Sequence, residues 1–228
     1  MTFFVLHLKK ISSIIMKKLL SSIAIIAFAI TSFSQEKLEL HYKLKVTPTS
    51  KEYKKVARQL NGGTMDFYIT KEAFRMDVGF KKQANTTMVI DMNLDSMILI
   101  ISGDETGNLA FAGTFDEVKE RNKNKEKKEK INEERIVGSE KIKGFDCVKT
   151  ILKEDGKTSI IWSTSSIKNP NETKGVVEGS NSIPIQFSVE EDGMILLYTL
   201  KKHDYSFDNE IFDLSIPAGF KVNRLSNL

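Results

Sequence analysis

"TMDFYITKEAFRMDV", residues 64–78, reads as two short strands joined by a polar turn. Met65, Phe67 and Ile69 alternate with polar residues in the first half, and Phe74, Met76 and Val78 do so in the second. A period of two puts each apolar set on one face of a strand. The stretch therefore specifies a hairpin with one buried side, and leaves open whether that side closes a core or lines a cavity.

The same signature recurs outward from this hairpin. Apolar-alternating or β-branched runs stand at 37–46, 86–92, 95–102 and 108–112, and again at 139–143, 145–153, 157–163, 183–190, 193–201 and 210–215. Turn signals separate them, among them Asn61-Gly62-Gly63, Ser102-Gly103-Asp104, Glu154-Asp155-Gly156 and Glu191-Asp192-Gly193. The Asp-Gly pairs suit tight hairpin turns, which need positive φ. The pattern predicts a mainly β (α+β) fold with a curved antiparallel sheet in which sequence neighbours pair.

Helical signals are few. Ser50 to Leu60 puts Tyr53, Val56, Ala57 and Leu60 on one face, after Pro48 and a serine able to cap the first turn. This predicts an amphipathic helix over one end or the concave side of the sheet. Residues 115–136 are different: Lys119 to Lys130 contains almost nothing apolar, so it predicts a solvated helix or loop joining two halves of the chain. Thr164 to Ser182, rich in Ser, Asn and Gly, predicts another loop.

The N-terminus decides which residues belong to the folded protein. From Met16 the chain runs Lys17-Lys18, an apolar stretch from Leu19 to Ile30, then Thr31-Ser32-Phe33-Ser34-Gln35. That is the order of a secretory signal peptide, and the apolar run is short of the roughly 20 residues a membrane anchor needs. Residues 1–34 read as a leader with its true start at Met16, leaving 35–228 as a single exported domain, periplasmic or secreted.

The leader also holds the charge excess. Of 34 basic and 30 acidic residues in the chain, Lys9, Lys10, Lys17 and Lys18 fall before residue 35 and no acid does, so the mature chain is balanced. A balanced chain has no global field for nucleic acid. The Lys/Glu segment does not supply one locally, because acids interrupt its lysines and no aromatic interleaves them. Nothing in the sequence fixes an oligomeric state.

Catalytic and metal signatures are missing. His41 and His203 are far apart in sequence, and the lone Cys147 reads as a buried thiol on a strand face with Phe145. Metal spacing motifs, a nucleophile elbow and a Gly-rich phosphate loop do not occur. Glu190, Glu191 and Asp192 are adjacent carboxylates, read as solvated turn residues. The reading is a protein without enzymatic activity and without a cofactor.

What stands out is apolar. Met65, Met76, Met88, Met92, Met97 and Met194 all fall in or beside predicted strands. Methionine fills irregular gaps and also lines adaptable binding surfaces. The candidate cavity residues are the alternating positions of the central strands. In the first half of the chain these are Met65, Phe67, Ile69, Phe74, Met76, Met88, Ile90, Met97 and Leu99; in the second half, Ile185, Phe187, Leu196 and Tyr198. Sequence alone leaves open which strand face is concave, so some of these are expected to fall on the wrong side.

Three segments carry a resemblance: Leu60 to Lys71 followed by Phe74-Arg75-Met76, then Gly144-Phe145-Asp146-Cys147, and the tail Phe212 to Phe220. Through them the chain resembles the LolA/LppX-like superfamily of periplasmic lipoprotein and lipid carriers, and within it a secreted bacterial family, domain of unknown function 4412. The resemblance implies a half-barrel lidded by helices, a cavity for acyl chains, a lipid or lipoprotein partner and transient contact with an envelope membrane. It also implies a basic residue at the cavity mouth, for which Lys71 is the matching position and Arg75 the second. The turn here reads Lys71-Glu72 where the carriers have Arg-Pro.

Overall fold

The period-2 stretches become strands with few exceptions. The computed structural model describes residues 36–80, 84–103, 107–114, 116–117, 133–154, 157–170 and 182–225. The first half of the chain gives β1 (Lys37–Pro48), α1 (Lys54–Leu60), β2 (Thr64–Thr70), β3 (Ala73–Gly79), β4 (Ala84–Asp91), β5 (Ser96–Gly103) and β6 (Leu109–Gly113). The second gives β7 (Glu133–Ile142), β8 (Phe145–Glu154), β9 (Lys157–Thr164), β10 (Ile183–Glu191), β11 (Met194–Asp204), a 3-10 turn at Asn209–Phe212 and β12 (Lys221–Arg224).

All twelve strands belong to one curved, unclosed sheet, ordered β12-β6-β5-β4-β3-β2-β1-β11-β10-β9-β8-β7. Two meanders, β2 to β6 and β7 to β11, meet on β1, which pairs antiparallel with β2 on one side and β11 on the other. Sequence neighbours pair throughout both meanders, as short turns dictate. The exception to antiparallel pairing is β12, which lies parallel to β6.

Two turns fix local geometry. At the β10–β11 hairpin Asp192 and Gly193 both have positive φ, 40° and 72°, as the Asp-Gly signal predicts. The β7–β8 hairpin turns the same way on Lys143 and Gly144, φ 51° and 88°, without a preceding acid. The Asp155-Gly156 turn lies outside the described residues.

Helix α1 covers one end of the sheet. Ala57 and Leu60 are buried, with Tyr53 and Val56 packed against the same core. The chain then returns to β1: Gly62 N–H donates to Leu44 O at 2.9 Å and Leu44 N–H donates to Gly63 O at 2.8 Å. The Tyr53 ring rests on Gly193, where an added Cβ would stand 2.5 Å from it.

Several expectations need correction. The helix starts at Lys54, not Ser50, and its N-terminal residue Tyr53 offers no side-chain cap. Residues 210–215 are no strand; Asp208 accepts from Glu210 N–H at 3.0 Å and tightens that segment into the 3-10 turn. Strand β12 was not expected, because Lys221-Val222-Asn223-Arg224 has one apolar residue and its place depends on parallel pairing with the distant β6. Strand β7 begins at Glu133, inside the segment expected to be solvated up to 136, since a sheet edge accepts polar residues. The Lys119–Lys130 run and residues 1–34, expected to be a leader, lie outside the described residues. Among the described residues no helix is long and apolar enough to cross a membrane.

Candidate functional site

The alternation that makes these strands also sorts their side chains. Along β1, Leu38, Leu40, Tyr42, Leu44 and Val46 are buried while the residues between them are not. Residues directly opposite in an antiparallel pair share a face, so register extends this face across the sheet. Leu40 stands opposite Phe67, then Met76, Met88, Leu99 and Phe111 follow in one row over six strands. The next row runs Leu38, Ile69, Phe74, Ile90, Met97. On the other side Tyr42 leads to Met65 and Val78, and Leu44 leads through Tyr198 and Phe187 to Ile161 and Thr150.

All thirteen candidate cavity residues fall on this face and in one buried cluster. None exceeds 8% exposure, the highest being Met97. The sequence reading thus chose one face consistently, and Ile185 joins it at an irregularity between Pro184 and Gln186. It overlooked the inward residues of β1, although residues 38–46 alternate without a break; β1 is the strand on which both halves meet.

Aromatic rings tie the halves together. Tyr42 meets Phe67 and Phe187 edge-on, each at 5.7 Å between centroids, and Phe187 stacks on Tyr198 at 4.7 Å. The Tyr42 hydroxyl donates to Pro184 O at 2.7 Å, so burial, which pushes its pKa far up, leaves it neutral and paired.

The two candidate mouth charges separate. Lys71 is exposed in the β2–β3 turn, which Thr70 Oγ1 organises by accepting from Ala73 N–H at 2.8 Å. Arg75 lies on the opposite face of β3 from Phe74 and Met76. There its guanidinium forks onto Asp77, at 2.8 and 3.1 Å, and donates to Ile211 O at 2.7 Å. It holds the segment after β11 across the outer face, where Lys37 also donates to Phe207 O and Phe207 meets Tyr68. A hollow of about 510 Å³ on this side is lined by Asp91, Asn209, Glu210, Phe212 and Asp213, none of them a candidate cavity residue.

The remaining titratable groups have structural settings. His41 Nδ1 contacts Asp66 Oδ1 across the β1–β2 pair. Cys147 is buried, its thiol pKa raised by burial, and its Sγ–H points to Phe145 O. The solvated reading of Glu191 is corrected: it is 6% exposed and both its oxygens accept from Lys157 Nζ, at 2.8 and 2.6 Å. Glu191 closes β10 and Lys157 opens its antiparallel neighbour β9, so the two ends meet. Among the described residues no group of His, Cys, Asp and Glu could hold a metal ion.

Residues 52–183 match the family described as a domain of unknown function, DUF4412. The chain belongs to the DUF4412 family. The DUF4412 match takes in α1 and all strands from β2 to β9. No curated protein sequence matches the chain. Among solved structures it is similar to PNGF-II at 9% identity and TM-score 0.43, covering 83% of this chain but only 31% of that one. It is also similar to the lipoprotein LppX of Mycobacterium tuberculosis, at 11% identity and TM-score 0.37, over 84% of this chain and 98% of that one. A third similarity is to a putative outer membrane lipoprotein-sorting protein domain from Vibrio parahaemolyticus, at 9% identity and TM-score 0.24, over 78% and 89%.

Proposed function

We propose that this DUF4412 protein is an exported, non-enzymatic binder of a hydrophobic ligand, an acyl chain held against the inner apolar face of the sheet. The observation that carries this reading is the register: two unbroken apolar rows cross β1 to β5, with Met76 directly opposite Met88. Among the described residues one seven-residue helix stands over that sheet, and methionines at the centre let the face repack around a guest. Each methylene moved out of water contributes about 0.8 kcal/mol, so ten of them give about 8 kcal/mol before the costs of binding. Catalysis plays no part in such a mechanism. The resemblance to the LolA/LppX-like carriers implies the same ligand class.

One observation favours a second reading, an envelope or secreted interaction protein with a filled core: every candidate cavity residue is already buried. Native mass spectrometry of residues 35–228, purified from an exporting host, separates the two. A discrete added mass that extracts as fatty acid, phospholipid or lipoprotein fragment supports the binder. A bare mass, with no uptake of an environment-sensitive acyl probe, overturns it.

A further inference from the structure

Among the hydroxyl-bearing residues of the apolar face are Thr86, Thr150 and Tyr198, exposed by 6%, 2% and 5%. Their positions follow from register, Thr86 opposite Val78, Thr150 opposite Ile161, and Tyr198 between Leu44 and Phe187. A buried hydroxyl without a hydrogen bond is costly, and native proteins retain few of them. Tyr42 shows the usual solution on this same face, donating to Pro184 O. Tyr198 does not follow it: its side chain contact is the stacked Phe187 ring, and its hydroxyl has no hydrogen-bond partner among the described residues.

The geometry of the two residue types separates their roles. A threonine holds its hydroxyl next to the backbone, in the floor of the sheet. The tyrosine ring, stacked at 4.7 Å on Phe187, carries its hydroxyl on its far edge, several bonds beyond the strand, and at 5% exposure that hydroxyl is buried with the apolar side chains of this face. A phenol is protonated at neutral pH in any case, and burial pushes its pKa further up. It is thus a donor in an apolar surround, where a neutral acceptor oxygen is the matching chemistry, since a buried charge would need more than one donor.

We infer that the Tyr198 hydroxyl is the polar anchor for the ligand of this face, donating a hydrogen bond to the carbonyl oxygen at the uncharged head of an acyl chain, an ester or a protonated acid. This rests on the proposed binding of an acyl ligand and narrows it: the guest is a fatty acid or acyl ester that enters head group inward, rather than a hydrocarbon or sterol-like body held by apolar contact alone. Thr86 and Thr150 act as part of the floor.

The test compares Tyr198→Phe with the wild type in residues 35–228, using palmitate and an uncharged apolar dye as probes. Removing the hydroxyl keeps the ring and its stacking. Expected are an unchanged or raised unfolding midpoint, palmitate affinity lower by about five- to tenfold, as for one lost hydrogen bond in a buried site, and unchanged dye affinity. Equal palmitate affinity in both proteins overturns the anchor while leaving the acyl-binding face standing. A lowered unfolding midpoint also overturns it, because the hydroxyl then has a partner within the protein. If the wild type binds neither probe, the binding face itself fails and the anchor with it.

Discussion

At the residue scale, two positions carry consequences out of proportion to their size. Gly193 needs positive φ and lies under the Tyr53 ring, so any Cβ there meets both strain and collision. Gly193→Ala should lower stability by about 2 kcal/mol or more, the sum of a left-handed backbone penalty and overpacking. Denaturant unfolding reads the loss, and Tyr53→Ala in the same chain should return part of it; equal losses with and without Tyr53 would show that the ring is not the obstacle. Asp213 is the second position. Hydrogen bonds from Ser215 Oγ and N–H, at 2.6 and 2.9 Å, hold its carboxyl below the ordinary aspartate range. A carboxyl depressed in the folded state contributes stability above its unfolded pKa, and that contribution disappears as pH falls through the folded value. Ser215→Ala should therefore move the Asp213 titration upward toward the ordinary range, measured by carboxyl carbon shifts against pH. An unmoved titration contradicts the assignment of Ser215 as the cause.

At the scale of elements, Arg75 shows where sequence reading stops. On paper it follows Phe74 in a strand and resembles a charge at a cavity mouth; in three dimensions the same alternation that buries Phe74 turns Arg75 to the outer face. There it ties Asp77 to the carbonyl of Ile211, 136 residues away in sequence, a partnership no local pattern reveals. Arg75→Ala should release the 208–213 segment from β3 and cost about 1–2 kcal/mol, since both members of the pair are partly solvated. Hydrogen exchange should quicken in 208–213 and stay unchanged in β5; uniform quickening would mean global destabilisation instead. The strands themselves were legible because period two and Asp-Gly turns act locally. Strand β12 was not, because its place beside β6 depends on parallel backbone pairing between distant segments, and Lys221, Val222, Asn223 and Arg224 carry no apolar alternation to announce it. The buried Glu191 escaped for the same reason: only the pairing of β9 with β10 brings Lys157 to it.

At the scale of the whole molecule, the open issue is whether the inner face yields to a guest, and the methionines decide it. Thirteen candidate residues were legible as one set because every one obeys the alternation of its strand, but alternation cannot distinguish a filled face from a receptive one. Exchanging Met65, Met76, Met88 and Met97 together for leucine keeps apolar character and nearly keeps volume, so each change should cost less than about 1.5 kcal/mol. What it removes is the unbranched, adaptable chain from three adjacent rows. In a receptive face, the variant should fold cooperatively, bind acyl probes more weakly, and discriminate more sharply among probes of increasing length, because a branched lining repacks less readily. Ligand-dependent rise of the unfolding midpoint measures this directly, since a guest that binds only the folded state stabilises it by RT ln(1 + [L]/Kd). In a filled core, neither protein responds to any probe and the two differ only in intrinsic stability. A variant that binds every probe as the parent does, with the same dependence on length, would show that a guest uses the face without using its methionines, and would shift attention to the aromatic seam of Tyr42, Phe187 and Tyr198 as the part that moves.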